Sequence, residues 1–231
     1  MPVPNKRARA RAVSATHDNL PAALASIKLH HGEAVWLMTQ LGFRGRTSKS
    51  TFNEYIKSLR KLGTPFERGS LGMPRRGLAN YTYCHLMELA LALTLRVYQV
   101  IPDAVLTGIV RHRTSLYRHY RQAYTERCTG LGAPILIEST DKQTISLRGV
   151  FLDVGINFSG GRLISSGRPK LLSPFEALSM FAARGHAARA FLPINLSFLS
   201  ERVIKLSLSA PLIRRGPRPV SSPRRVRSRP V

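Results

Sequence analysis

The stretch 81–100 decides most about what this chain can become. It carries Leu86, Leu89, Ala90, Leu93 and Val97 at helical spacing, and Met87, Leu91 and Tyr98 widen that face. A helix apolar over so much of its circumference has to be covered by other helices or by a second subunit. Its most apolar run, 86–101, is interrupted by Glu88 and Arg96 and is too short to cross a bilayer, so no membrane span is expected. The rest of the chain must supply the cover. With 231 residues, 43% of them hydrophobic, there is enough material for a sizeable core.

That cover is built from a basic chain. Thirty-six Lys and Arg against twelve Asp and Glu leave a formal charge of +24. Such an excess repels itself unless something anionic neutralises it. An enzyme for an acidic substrate needs only a local basic pocket. A whole-chain excess points instead to nucleic acid, an anionic membrane surface or a polyanionic assembly. Residues 1–13 hold Lys6, Arg7, Arg9 and Arg11 with no acid, and 214–231 hold seven arginines with no acid. We expect 1–16 and 211–231 to be disordered basic arms, the second rich in Arg, Pro and Ser. Charge is densest in the body over 28–76, where ten basic residues face three acidic ones.

Several function classes lose support at this stage. His17, Asp18, Asn19 and Pro21 lie where a secretory segment would need apolar residues. Cys84 and Cys128, 44 positions apart, suggest idle thiols rather than a disulfide framework. The expected location is therefore reducing cytoplasm, the bacterial cytosol or nucleoid. No GxxxxGK[ST], GxSxG, HExxH or CxxC motif is present, so we expect no catalytic residues, no metal and no cofactor, and no enzyme. The adjacent His30 and His31 suit metal poorly, and His112 and His119 read as solvated helix surface.

Starts and stops then divide the chain. Ala34, Leu37, Met38 and Leu41 predict a helix over 32–41, stopped by Gly42. A polar basic turn over 43–49 contains Arg44, Arg46 and Lys49. Thr51 and Glu54 have capping-box spacing and open a second helix running to Leu62, with Gly63 and Pro65 ending it. Its apolar side is Phe52, Tyr55, Ile56, Leu59 and Leu62; its other side carries Asn53, Lys57, Arg60 and Lys61. Residues 66–80 hold three glycines with Arg68, Arg75 and Arg76, the composition of an exposed basic hairpin. Pro102 is expected as the first residue of one long helix, with Arg111, Arg113, Arg118 and Arg121 largely outward.

Helix, basic turn, capped basic helix, Gly/Arg hairpin and apolar helix is the order of a helix-turn-helix followed by a wing. Asn53 and Lys57, four apart, are suited to adenine and guanine edges. Ser48, Ser50, Thr51 and the helix N-terminal N–H groups are suited to phosphate. Arg68, Arg75 and Arg76 would follow the flanking backbone or minor groove. On these residues the stretch from about 32 to 127 resembles the MerR-type winged-helix DNA-binding family. The matching parts are 51–55 (TFNEY), the 63–65 exit, Arg75 and Arg76, and 81–83 (YTY) leading into 85–90 (HLMELA). The resemblance implies that Thr51, Asn53, Glu54 and Lys57 face the groove and that Arg75, Arg76 and Tyr81 touch backbone. It also implies a dimeric transcriptional regulator on double-stranded DNA. Asn53 stands where the family usually has arginine, the loop 42–49 is long, and no long heptad helix follows.

After Gly130 the pattern changes. Short β-branched or alternating runs at 134–138, 144–147, 150–156 and 162–166 predict a small antiparallel sheet. Ser173, Pro174 and Glu176 predict a helix start, and 193–208 a second amphipathic helix. Asp153, alone in an apolar strand, is suited to a buried structural hydrogen bond. The expected class is α+β. A winged helix-turn-helix unit would span 17–129, and a small sheet-plus-helices unit for dimerisation or regulation would span 130–210. The alternative is a basic RNA- or ribosome-associated protein, which would need stacking aromatics on a sheet; only Phe151 and Phe158 are placed for that.

Overall fold

A computed structural model describes residues 22–66, 80–98, 101–129, 135–138, 144–159, 162–165, 168–182, 189–190 and 193–213. The class is α+β: helices with small antiparallel sheets. In chain order the N-terminal elements are α1 (Ala22–Ala25), β1 (Lys28–Leu29), α2 (His31–Gln40), α3 (Lys49–Lys61), β2 (Tyr81–Thr82) and α4 (Tyr83–Leu93). A π-helical turn, Thr94–Tyr98, extends α4. Then follow α5 (Asp103–Val110) and α6 (Arg113–Thr129). The remaining elements are β3 (Ile135–Glu138), β4 (Thr144–Leu147), β5 (Phe151–Asp153), β6 (Ile156–Ser159), β7 (Arg162–Ser165), β8 (Lys170–Leu172), α7 (Pro174–Ala182), β9 (Arg189–Ala190), β10 (Ile194–Asn195) and α8 (Leu196–Leu208).

The apolar helix is covered, as its composition demands, and the cover comes from this chain. Every residue of α4 but His85 is buried, and the helix packs against α6 and α8. Leu86, Leu89, Leu93, Ile109, Leu116 and Val203 have no exposed surface. A fully buried side chain of this kind contributes about 1.5–3 kcal/mol relative to exposure. Tyr83 locks the three helices together: its hydroxyl donates to the Tyr120 carbonyl at 2.9 Å and meets Ser200 Oγ at 2.7 Å. One buried cluster therefore takes in Leu37, Ile56 and Leu86 from the first half and Leu152, Ile194 and Val203 from the second. Packing bridges the boundary expected between 129 and 130.

Arg113 points inward, contrary to the outward expectation for its stretch. Arg113 donates from Nε to Glu88 Oε2 at 2.7 Å and from a guanidinium NH2 to Glu88 Oε1 at 2.6 Å. Glu88 is 1% exposed, so the pair is desolvated and bidentate. The Arg96 guanidinium lies 4.7 Å from the Tyr55 ring centre and pairs with Asp103. The single helix expected after Pro102 is two, broken at Arg111 and His112, and Pro102 is the N-cap of α5 rather than its first helical residue. His119 is half-buried, with Nε2 on the Pro169 carbonyl at 3.0 Å, rather than solvated. Cys84 is a buried free thiol, pushed up to about 11 by burial.

β3, β4, β5 and β7 fall within the alternating runs, while β8, β9, β10 and most of β6 lie outside them, and instead of one small sheet these strands form three separate antiparallel sets: β10–β5–β8, β7–β6–β9 and β3–β4. A fourth set pairs β1 with β2, Leu29 opposite Tyr81. Asp153 accepts from the Gly155 N–H at 3.0 Å, the buried turn bond expected of it. Gly149 has φ +92°, and a Cβ there would stand 2.5 Å from Ser197 Cβ. The start of β5 thus approaches α8 closely enough for the Val150 N–H to donate to Ser197 Oγ at 3.0 Å. At α7 the Ser173 N–H donates to Glu176 Oε2 and the Glu176 N–H to Ser173 Oγ, a reciprocal capping box.

Candidate nucleic-acid interface

α3 buries one side and exposes the other because its apolar residues recur once per turn. Phe52, Ile56 and Leu59 enter the core; Lys49, Ser50, Thr51, Glu54, Lys57 and Lys61 are exposed. The helix starts earlier than the Thr51–Glu54 spacing predicts. Ser48 is the N-cap, its Oγ accepting from the Thr51 N–H at 3.1 Å. Glu54, freed from capping, takes the Lys57 ammonium at 2.5 Å, which holds its carboxyl below the usual range. The Ser48 hydroxyl also meets Ser50 Oγ at 2.9 Å and Thr51 Oγ1 at 2.8 Å. Three exposed hydroxyls and the free N–H groups of a thirteen-residue helix thus gather beside Arg46 and Lys49. The N-terminal end of a helix carries partial positive charge, so this corner is suited to a phosphate oxygen.

The other end of α3 is anchored from the core. Arg113 donates a third bond, from its NH2 to the Gly63 carbonyl at 2.5 Å. Arg60 lies 5.5 Å from the Phe66 ring centre, and Phe66 packs edge-on against Tyr81 at 5.0 Å. The exit of the helix is therefore held while its N-terminal half projects.

Between α2 and α3 runs a cleft of about 1460 Å³. Trp36 and Gln40 line one wall, Lys49, Ser50, Asn53 and Lys57 the other, and Arg44 the end. Leu212 and Ile213 reach it from the far end of the chain. Ile213 packs so closely on α2 that a Cβ at Gly32 would stand 3.1 Å from its Cγ2. The tail expected from 211 is thus placed structure through Ile213.

The expected site residues divide into four groups. Arg46, Ser48, Lys49, Ser50, Thr51, Glu54, Lys57 and Lys61 are exposed together. Arg44, Asn53 and Arg60 are half-buried, and Arg60 is drawn onto Phe66. Tyr81 is a correction: it has no exposed surface, and burial pushes its hydroxyl up to about 12. It cannot touch a backbone phosphate from there, because β1–β2 pairing turns it into the core. Arg68, Arg75 and Arg76 lie outside the described residues, as do the wing and the arms at 1–16 and 214–231.

Asn53 is engaged. Its Oδ1 lies 2.8 Å from His31 Nε2, and His31 Nδ1 lies 3.1 Å from the Tyr81 hydroxyl. Sequence reading missed His31 and Trp36. Trp36 and Gln40 are four apart on α2, so helical spacing held a signal for that wall. Nothing in the spacing of 31, 53 and 81 links them, since only tertiary packing brings them together.

Among the described residues no cluster of His, Cys, Asp and Glu could hold a metal, and no helix is long and apolar enough to cross a membrane. No family model, no curated protein and no solved structure matches this chain.

Proposed function

We propose that this protein binds double-stranded DNA through the exposed face of α3 and acts as a MerR-like transcriptional regulator, two copies reading paired half-sites. One observation carries the reading: the Ser48-capped start of α3 is open to solvent and flanked by Arg46, Lys49 and Lys57, with one exposed acid, Glu54, among them. Hydroxyls and N–H groups there bind phosphate, while Lys57 farther along reaches a base edge or a second phosphate. Glu54 does not cancel this, because an exposed ion pair exchanges readily for a stronger anion. The seven arginines of 214–231 follow Ile213 directly, so the chain enters them from the cleft beside α3. They add sequence-blind, salt-dependent affinity. Paired half-sites about 34 Å apart give such a small reader useful specificity.

Of the two aromatics the RNA alternative would use, Phe151 packs against Leu172 and Ala177 and is 9% exposed. It is not available for stacking.

The test is a gel-shift titration of the full chain on duplexes from its own upstream region, with random duplex and single-stranded RNA as competitors. Specific binding is expected, strongest on duplex. Lys49→Ala and Lys57→Ala should each weaken it and lower the slope of log affinity against log salt by about 1. Failure to bind any duplex overturns the reading.

A further inference from the structure

The cleft between α2 and α3 holds more than a duplex would use. Its volume of about 1460 Å³ is ample for a small organic ligand. Two chemistries meet in it. One side is aromatic and apolar: Trp36 is half-buried on α2, joined by Leu212 and by Ile213, which packs on Gly32 of the same helix. The other side is cationic, with Lys49 and Lys57 on α3 and Arg44 at the end of the cleft. Lys57 is engaged by Glu54 outside the cleft, so the weight of binding an anion falls on Arg44 and Lys49. The Nε of Arg44 is buried with no hydrogen-bond partner among the described residues. The one acid on the lining, among the described residues, is Glu33; it is 5% exposed, and its Oε2 accepts from the His30 N–H at 2.7 Å at the start of α2. The lining therefore sets three cations, Arg44, Lys49 and Lys57, against a single carboxylate.

We propose that this cleft binds a nucleoside phosphate, and that the bound nucleotide displaces duplex DNA from α3. A nucleobase is a flat aromatic ring, and it stacks on an indole whichever base it is. A phosphate suits the planar fork of an arginine and the point charge of a lysine. Ser50 lines the cleft beside Lys49 in the first turn of α3, where the helix field adds to theirs. A neutral aromatic molecule would leave the cations unanswered, and inorganic phosphate would leave Trp36 unused. A ligand that carries both groups uses the whole cleft. Displacement follows from shared residues, because Lys49, Ser50 and Lys57 line the cleft and also belong to the face proposed for DNA. Two anions drawn to the same lysines weaken each other's binding by one common factor. The nucleotide site stands on the cleft alone; the displacement rests on the proposed DNA reading.

Trp36 is the single tryptophan of the chain, so its fluorescence reports on this cleft. The full chain, without DNA, is titrated with AMP, GMP, CMP and UMP in turn, and with adenosine and inorganic phosphate at the same ionic strength. At least one nucleotide should change the Trp36 emission saturably and bind about tenfold more tightly than adenosine or phosphate. Arg44→Ala should weaken that nucleotide on the order of tenfold, as the loss of a charge-assisted hydrogen bond does. Arg44→Lys keeps the charge but not the fork and should weaken it less. Arg118→Ala removes an equal charge from an exposed position of α6, outside the cleft, and should leave binding unchanged. No saturable response to any of the nucleotides, or equal losses in the Arg44→Ala and Arg118→Ala variants, overturns the site. A gel shift on the wild type then follows the duplex complex as the same nucleotide is added. Apparent duplex affinity should fall about tenfold when the nucleotide stands at about ten times its dissociation constant, and inorganic phosphate at equal ionic strength should not match it. Nucleotide binding with duplex affinity unchanged overturns the displacement and leaves the site and the DNA reading standing. Nucleotide binding with no duplex complex at all overturns the DNA reading, and the displacement with it, and leaves the site standing.

Discussion

Two helices of this chain are basic at the sequence level and opposite in use. α3 carries Lys49, Lys57, Arg60 and Lys61; α6 carries Arg113, Arg118 and Arg121. In α3 the lysines stand in solvent with Glu54 as their one acidic neighbour on the helix. In α6 Arg113 is sunk into a bidentate pair with a buried carboxylate and also holds the Gly63 carbonyl. A count of cations therefore does not locate an interface. What separates the two helices is the partner each folded position supplies. Glu88 lies on α4 and is itself 1% exposed, where a carboxylate persists only with a cation brought to it. Lys49 instead stands exposed in the first turn of α3. The two helices are also coupled, since the Arg113 clamp fixes the end of the helix whose beginning is free.

The comparison breaks first at that clamp. Arg113→Ala leaves the Glu88 carboxylate buried without its partner, so we expect a loss of about 3–5 kcal/mol of unfolding free energy, read by denaturant titration. The double variant Arg113→Met, Glu88→Leu removes both charges and should recover most of that loss. If Arg113→Ala unfolds at the wild-type midpoint, Arg113 is as peripheral as the lysines of α3 and the contrast fails.

The next effect belongs to α3 itself. Ser48→Ala removes the cap that satisfies the Thr51 N–H, which should cost about 1 kcal/mol of stability. The same variant should weaken duplex binding, because the hydroxyls of Ser50 and Thr51 lose the group that gathers them. Ser48→Asp separates the two roles. It caps as well as serine and should restore stability, while its charge repels phosphate and leaves binding weak. Binding restored together with stability would make Ser48 a structural cap alone.

The sequence made legible whatever is decided within a turn or two of chain. Gly42 and Gly63 mark the ends of α2 and α3, Ser173 and Glu176 close the capping box of α7, and the alternating runs locate β3, β4, β5 and β7. Competition between neighbouring signals misplaced the start of α3, because Ser48 and Thr51 are both good caps three residues apart and the structure uses the first. Two-residue strands such as β1 and β2 carry no period at all, so the pairing that buries Tyr81 left no trace. The same holds for His31 against Asn53, separated by 22 positions, and for Ile213 on Gly32. The exposed face of α3 was readable because partners such as Ser48 for Thr51 and Glu54 for Lys57 lie within one turn of chain. Arg113, Tyr81 and Asn53 were not, since each is defined by a residue distant in the chain.

The smallest effect sharpens the contrast at α6, where His119 is placed like a structural group rather than a surface one. Burial lowers its pKa from the ordinary 6.5, more than the hydrogen bond to the Pro169 carbonyl raises it. Among the described residues the buried Nδ1 has no hydrogen-bond partner, so a proton there gains nothing from them. Above 6.5 the ring is neutral in both the folded and unfolded chain and contributes no pH dependence. As the pH falls below about 6.5 the unfolded chain binds the proton first, so stability declines until the folded ring also protonates, and then levels. His119→Gln keeps an N–H donor for Pro169 and has no titrating ring. Its unfolding midpoint should therefore lose the wild-type decline in this window. Parallel pH profiles for the two proteins would show that His119 is solvated after all, and α6 would then present a free basic face like that of α3.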